Sequence, residues 1–272
     1  MNYNSREELE YIGKSGVTCS TGNFIDDTPY KKIRILSSYW LCTKMTGSDI
    51  VENLERDGFW ESWITLWISN NVKPGSICID AGANYGYFTF FLASHGCKVF
   101  SVEANPELMK YLIESVNLNG CKDRVKLFNK AITKKSYDVI ELNIIEDAIG
   151  SATIMNNKGD RSVQVETMDI RDLMILEPKI DFIKMDIEGA EETAWAGVRA
   201  ILQNNVQCKI VMEFSPSSYK NRGKDLFQQM TDEFQVQFID TDGTSKPIEG
   251  YGFFEQNHED FYMLAISHKN TV

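Results

Sequence analysis

The chain is predicted to be an α/β protein: a doubly wound, mostly parallel Rossmann-like sheet with an antiparallel C-terminal strand and a small antiparallel insertion. Three observations predict it. From Ser76 onward, short apolar runs alternate with stretches of helical periodicity, the pattern of parallel βαβ units joined by right-handed crossovers. Between 137 and 168, three short strand-like segments are separated only by turns, which implies local antiparallel pairing. The last two strand-like runs, 234–243 and 261–267, have no helical pattern between them and are also expected to pair antiparallel.

Composition sets the outer bounds. The 272 residues can bury a sizeable core, and 43% hydrophobic with 25% charged residues is the usage of an ordinary globular protein. A net charge of −11 gives no general attraction to nucleic acid or to an anionic membrane, so neither is expected as a partner. Six scattered cysteines form no CxxC pair and read as reduced, buried thiols. The start, MNYNSREELE, lacks a basic stretch followed by an apolar one, and no run approaches the roughly 20 apolar residues of a membrane-spanning helix. A cytoplasmic location is therefore expected.

In chain order, residues 1–48 carry no readable period and are expected to be an N-terminal extension, a lid or acceptor-side cap by position alone; 49–272 form the main domain. Apolar residues at helical spacing from Asp49 to Asn70 predict one or two helices, ended by Pro74-Gly75. SICID (76–80) is a strand, YFTFFLASH (87–95) a helix and KVFSVE (98–103) a strand. PELMKYLIESVNLNG (106–120) is a helix with proline in its first turn and glycine just past its end. RVKLFNKAI (124–132) is the third strand; 137–145, 151–155 and 163–168 are the insertion. IDFIKMD (180–186) and CKIVMEF (208–214) are strands around a helix at 190–204, and a helix at 222–233 leads to the final pair.

The loop DAGANYG (80–86) follows the first strand and opens a helix, the place where open α/β sheets bind ligands. Gly82 and Gly86 permit close approach of the backbone, but the GxGxxG spacing of a dinucleotide loop is missing. Asp80 discriminates further, because a carboxylate repels phosphate and attracts an ammonium. S-adenosylmethionine carries an ammonium and a sulfonium and no phosphate. Glu103, 23 residues after Asp80 at the end of the second strand, is placed to accept hydrogen bonds from both hydroxyls of a ribose.

DAGANYGYFT, VEANP (102–106), IDFIKMDIEGAE (180–191) and VMEF (211–214) together closely resemble the FkbM family of S-adenosylmethionine-dependent methyltransferases, over roughly residues 49–267. The resemblance implies a class I methyltransferase sheet and, for most members, O-methylation of hydroxyls on sugars, polyketides and other natural products. It implies that Asp80, Gly82, Asn84 and Gly86 surround the methionine part of the cofactor. Glu103 and Asn105 would bind the ribose and flank adenine, with Ala131 presenting backbone to the adenine edge. The expected partner is a small-molecule or glycan hydroxyl acceptor.

Methyl transfer is an in-line displacement, so the protein supplies alignment and, for an alcohol, a proton acceptor. Lys184 and Asp186 share one face of their strand, with Asp186 at its carboxyl end beside the ligand; Glu188 lies on the next loop and Glu213 ends the neighbouring strand. Asp186 is expected near the methionine moiety and the acceptor hydroxyl, with Glu188 and Glu213 shaping the acceptor side; which of the three acids is the base stays open. A Lys184–carboxylate ion pair and helix N-terminal acids are the purely structural alternative. No metal-ligand cluster is recognisable, so no metal is expected. His258 is a weak base candidate while His95 and His268 are expected at the surface, and Trp60, Trp63 and Trp67 share a helical face that packs in the core or lines the acceptor pocket. Two other readings compete: an NAD-dependent oxidoreductase, opposed by the Asp80 loop, and a catalytically silent cofactor-binding scaffold, which an intact loop opposes only weakly.

Overall fold

In the computed structural model, which describes residues 3–45, 49–155, 159–219 and 222–269, the unreadable N-terminal stretch is ordered. It forms α1 (Arg6–Gly16) and an antiparallel meander of β1 (Thr18–Asn23), β2 (Pro29–Ile35) and β3 (Tyr39–Thr43). The expected boundary at 48 falls on residues 46–48, outside the described residues. Two helices follow, α2 (Asp49–Asp57) and α3 (Ser62–Asn71). Gly58 separates them at φ 68°, with the position of a Cβ only 2.4 Å from the Gly13 carbonyl oxygen, so a side chain there meets both a strained dihedral and a steric block.

The main sheet then builds as expected through β4 (Ile77–Ala81), α4 (Tyr87–Ser94), β5 (Lys98–Glu103), α5 (Pro106–Asn119) and β6 (Val125–Asn129). The run 124–132 is broken at Lys130, however, and its end, β7 (Ala131–Ile132), leaves the main sheet. It pairs parallel with β9 (Arg161–Met168), which pairs antiparallel with β8 (Val139–Ile144). The expected middle strand of the insertion is reduced to a single bridge between Asn143 and Thr153. After a short helix, α6 (Leu173–Leu176), the chain returns through β10 (Phe182–Met185), α7 (Glu191–Asn204), β11 (Lys209–Phe214) and α8 (Gly223–Glu233). It ends with β12 (Phe234–Ile239), β13 (Ser245–Pro247), α9 (Gly252–Asn257) and β14 (Tyr262–His268). The helix α9 is a correction to the expected helix-free connection; at 6 residues, buried by Phe254, it is too short to show a period.

The eight strands run β13-β12-β14-β11-β10-β4-β5-β6, parallel from β11 to β6. β14 inserts antiparallel between β11 and β12, and β13 pairs antiparallel with β12 at the edge of the sheet. The order reverses at β4 and β10, which places the glycine loop and the 186–189 turn at the same switch point. Among the described residues no helix is long and apolar enough to cross a membrane.

Apolar layers cover both faces of the sheet. Trp195, Ile201, Leu202, Phe227 and Phe254 pack on one side. On the other, Phe90, Phe91, Leu108 and Leu112 are covered in turn by Ile33, Ile35 and Leu41 of the N-terminal meander. That third layer explains the sequence of α4, in which every residue from Tyr87 to Ala93 is buried. The Tyr39 hydroxyl donates to the Tyr87 carbonyl at 3.1 Å, and the Cys42 amide donates to Ser115 Oγ at 2.8 Å. The extension is thus fastened to α4 and α5, and the described residues that line the main cleft begin at Ile50.

Gly58→Ala is expected to lower the melting temperature by several degrees, since a strained non-glycine residue costs of order 1–3 kcal/mol. Differential scanning calorimetry checks this, and an unchanged midpoint would contradict the packing of Gly58 on Gly13.

Candidate active site

A cleft opens at the carboxyl ends of β4, β5 and β10. Its floor is the loop after β4. Gly82 at φ 78° brings its α-carbon so close to β10 that a Cβ would sit 1.7 Å from the Asp186 carbonyl oxygen. The Gly82 and Ala83 amides both donate to the Val102 carbonyl, at 2.9 and 3.1 Å, and the Asp186 amide donates to the Ala81 carbonyl at 3.0 Å. Three strand ends are thereby tied together, and glycine at 82 is required by contact.

At one end of the cleft, Glu103 accepts from the Asn84 amide at 2.8 Å and from the Asn105 amide at 2.7 Å, one on each oxygen. Burial pushes its carboxyl up to about 7 against the pull of those two N–H groups. Each oxygen keeps a second lone pair. Ala131, Ile132 and Leu142 add an apolar wall beside it.

At the other end lies a buried cation surrounded by acids. Lys184 Nζ donates to Asp186 Oδ2 at 3.2 Å and to the Gly82 carbonyl at 3.4 Å, and it sits 5.3 Å from the centre of the Phe88 ring. Burial alone would depress this ammonium, but Asp186, Asp80 and Glu61 outweigh it and hold it above its ordinary value. Asp186 is half-buried; Lys184 and a hydrogen bond with Glu213 overcome its desolvation and keep it ionised. Glu213 goes the other way, pushed up to about 10 by burial, by the Asp186 charge and by that same hydrogen bond. The two carboxyls titrate as a pair, with Asp186 drawn toward its ionised form and Glu213 toward its protonated one. Glu188, at φ 56° on the turn, is raised to about 8 by burial and by Asp186 and Glu191.

The sequence-predicted residues separate into two groups. Gly82, Asn84, Glu103, Ala131, Asp186 and Glu188 line the cleft. Asp80, Gly86, Asn105 and Glu213 lie behind this lining. Asp80 is fully buried, accepts from Thr89 Oγ1 at 2.5 Å and leaves Oδ1 without a partner, so it contributes charge beneath Lys184 in place of the expected direct contact. Asn105 is also corrected from a role beside adenine. Its Oδ1 accepts from the Glu107 amide at 3.0 Å as the N-cap of α5, and its Nδ2 donates to the Ile149 carbonyl at 2.8 Å. Both ends of that side chain are occupied by structure. Of the three tryptophans only Trp60 lines the cleft; Trp67 is buried against Phe182, and Trp63 carries Arg6 over its ring. None of the three histidines lines it, and His95, expected at the surface, is buried and stacked on Phe91.

Two features escaped the sequence reading. The insertion closes one side of the cleft through Leu142, Gly150, Ala152 and Ile154, anchored by Thr153 Oγ1 donating to the Glu188 carbonyl at 2.8 Å. Gly150 presses against the Asn84 side chain, 2.2 Å from where its Cβ would be. Glu61 is buried near enough to Lys184 and Asp186 for their charges to act on its carboxyl, which burial and Asp186 raise to about 7. Helical spacing predicted α3 but gave no sign of that proximity. Oxygens of Asp186, Glu191 and Glu213 also approach within 4.8 Å, a spacing a cation could bridge. Here, however, both Glu191 oxygens accept hydrogen bonds, from the Ile187 amide at 2.8 Å and the Tyr219 hydroxyl at 2.9 Å.

The Methyltransferase FkbM domain profile matches residues 80–241. The human tRNA (guanine(37)-N(1))-methyltransferase is 37% identical over 62 residues, which are 23% of this chain and 12% of that protein. The Pyrococcus horikoshii tRNA(Phe) (4-demethylwyosine(37)-C(7)) aminocarboxypropyltransferase is 33% identical over 58 residues, 21% of each chain. Both alignments thus take in under a quarter of the relative. Among solved structures, a TehB-like SAM-dependent methyltransferase from Corynebacterium glutamicum superposes with a TM-score of 0.47 at 14% identity, covering 81% of this chain and 95% of that one.

The clustered acids fix a direction of pH dependence. Glu61, Glu103 and Glu191 are raised to about 7 and Glu188 to about 8, against an ordinary value of 4.5. Between those values the folded state binds more protons than the unfolded one, so stability falls as pH rises. The contribution is intact below about pH 4.5 and is lost as pH climbs through 7 and 8. Asp186, being lowered, acts only in more acid solution. The melting temperature is expected to drop steadily from about pH 6 to about pH 9; a flat or rising profile over that range would contradict the buried, protonated state of these acids.

Proposed function

The chain belongs to the FkbM family of methyltransferases, and from that premise we propose that it is an S-adenosylmethionine-dependent O-methyltransferase acting on a hydroxyl of a sugar, glycan or other natural-product small molecule. The observation that carries this reading is the set of acids in the cleft, whose raised carboxyls a cationic ligand would draw into their ionised form. Glu103 stands at one end and Asp186 and Glu188 at the other, around a glycine pressed onto the neighbouring strand. Carboxylates in a buried site repel phosphate and favour a ligand that is cationic and phosphate-free.

When bound, S-adenosylmethionine supplies a methyl group on a positively charged sulfur. The chain's own residues supply the rest. Glu103, fixed by two amides, offers its remaining lone pairs to a ribose diol; Ala131, Ile132 and Leu142 offer an apolar wall to a flat base. Asp186 is the ionised acid facing the cleft, and we assign it as acceptor of the proton released by the hydroxyl. It is a weak base, which suits an oxygen that becomes strongly acidic as it is alkylated. Lys184 and the protonated Glu213 hold Asp186 in place from behind. Trp60 and Phe88 shield that end of the cleft from water.

RNA, the substrate in the names of the tRNA-modifying relatives, is left out of the proposal, because a polyanion would meet a chain of net charge −11 and a cleft lined by acids. Six free cysteines support placing the reaction in the cytoplasm.

S-adenosylhomocysteine is expected to bind and raise the melting temperature. Glu103→Gln should weaken that binding roughly 10–100-fold, the loss of one charge-assisted hydrogen-bond partner. Calorimetric titration checks both, and equal affinity in a folded variant would remove Glu103 from the ribose.

Asp186→Asn, assayed in EDTA at saturating cofactor, is expected to lower kcat by about 10²-fold or more while the wild-type enzyme stays active in the chelator. Steady-state kinetics on acceptors with free hydroxyls reads this. A variant with near wild-type kcat would remove Asp186 as the base, and restoration of a chelated enzyme by magnesium would point to a cation on the Asp186–Glu191–Glu213 cluster instead.

A further inference from the structure

Glu103 is held at both oxygens by backbone amides, and the side chains of the two residues that supply them meet the insertion at one place. Asn105 donates its amide to Oε1 at 2.7 Å, and its side-chain Nδ2 donates to the Ile149 carbonyl at 2.8 Å in a buried hydrogen bond. Asn84 donates its amide to Oε2 at 2.8 Å, and Gly150 lies so close to its side chain that a Cβ would stand 2.2 Å from Asn84 Nδ2. The Asn84 side chain is itself fixed, because Oδ1 accepts from the Tyr85 amide at 2.8 Å. Ile149 and Gly150 are consecutive, so both connections from Glu103 end on the same short segment. That segment continues into Ala152 and Ile154, which line the cleft with Gly150 and are tied to the Glu188 carbonyl through Thr153. The remaining bond of the Asn105 side chain, from the Glu107 amide, starts α5, and the Glu107 carboxylate pairs with Arg161 on β9 of the insertion.

We propose that Asn105 is a positioning residue for the methyl acceptor: it carries occupancy of Glu103 by a ribose to Ile149 and Gly150, and so fixes the insertion as the acceptor wall. The inference rests on the reading of Glu103 given above. A diol bound to Glu103 restrains the carboxylate, the two amides on it and the asparagines that bear them. The insertion, held by those same side chains, loses freedom at the same step. An acceptor then meets a wall that is already ordered, which couples the two sites positively without a change of shape. By linkage, an acceptor that orders the wall tightens the cofactor by the same factor.

Hydrogen–deuterium exchange of the full chain, with and without S-adenosylhomocysteine, reads the wall directly. In the wild type the ligand is expected to slow exchange about fivefold or more in residues 146–155 as well as in 80–86. Asn105→Ser keeps the backbone amide for Glu103 and a side chain that caps α5, but serine is too short to reach Ile149. This variant should bind S-adenosylhomocysteine within about threefold of the wild type by calorimetry and still slow 80–86, while the slowing in 146–155 falls below about twofold. Gly150→Ala forces the insertion away from Asn84 and should lose the same transfer with the α5 cap untouched. Wild-type exchange in 146–155 that the ligand leaves unchanged would overturn the proposal, and so would undiminished slowing there in either folded variant. Loss of slowing in 80–86 together with 146–155 in Asn105→Ser would also overturn it, by showing that the cofactor contact itself had failed. If calorimetry showed no binding to the wild-type chain, the reading of Glu103 would fall, and the role of Asn105 with it.

Discussion

The site depends on one buried charge. Lys184 is almost wholly enclosed, and it is kept ionised by the acids that need it: Asp186 beside it, Asp80 beneath it and Glu61 across from it. A buried ammonium without such partners would lose its proton, and the acids without it would have to take one up. The consequence reaches past the ion pair. With Asp186 held as an anion, Glu213 retains its proton and becomes a donor, which fixes how two neighbouring strand ends meet. The acids around Lys184 outnumber it, and a cationic ligand would favour the ionised form of those that burial raises.

Backbone contact supplies the second constraint. Because Gly82 lies against Asp186, the loop after β4 and the turn after β10 move as one piece. Glu103 then clamps the same loop to the end of β5 through two amides. The insertion rests on this assembly from outside, through Gly150 on Asn84, Asn105 on the Ile149 carbonyl and Thr153 on the Glu188 carbonyl. The side of the cleft that would meet an acceptor is therefore attached to the loops that would meet a cofactor, so contacts on one side are felt on the other.

Legibility in the sequence followed the length of the pattern. Helices α5 and α7 are long and periodic, and β4, β5, β10 and β11 are apolar runs with clear bounds, so each lies within a few residues of its expected span. The short elements β7, β13 and α9 carry neither signal and depend on what they pack against. The fully apolar YFTFFLAS was a sign that α4 is covered on its outer side, but nothing in it named the N-terminal meander as the cover.

The sequence by itself determined the order of the main strands and helices along the chain, the glycine loop at the switch point, and some of the residues that line the cleft. It did so because these follow from local periodicity and from residue types at fixed offsets within a single βα unit. Only the tertiary structure decided which acids face a ligand. Asp80 and Asn105 belong to the recognisable motifs, yet a threonine hydroxyl and a helix cap occupy them. Glu61 was given no role from the sequence, and it lies at a helix start 123 positions from Lys184 in the chain, where the fold brings the two within electrostatic reach. Ionisation was decided at the same level. Whether a carboxyl holds its proton depends on burial and on the charges within a few ångströms, and those are set by which strand ends the fold brings together.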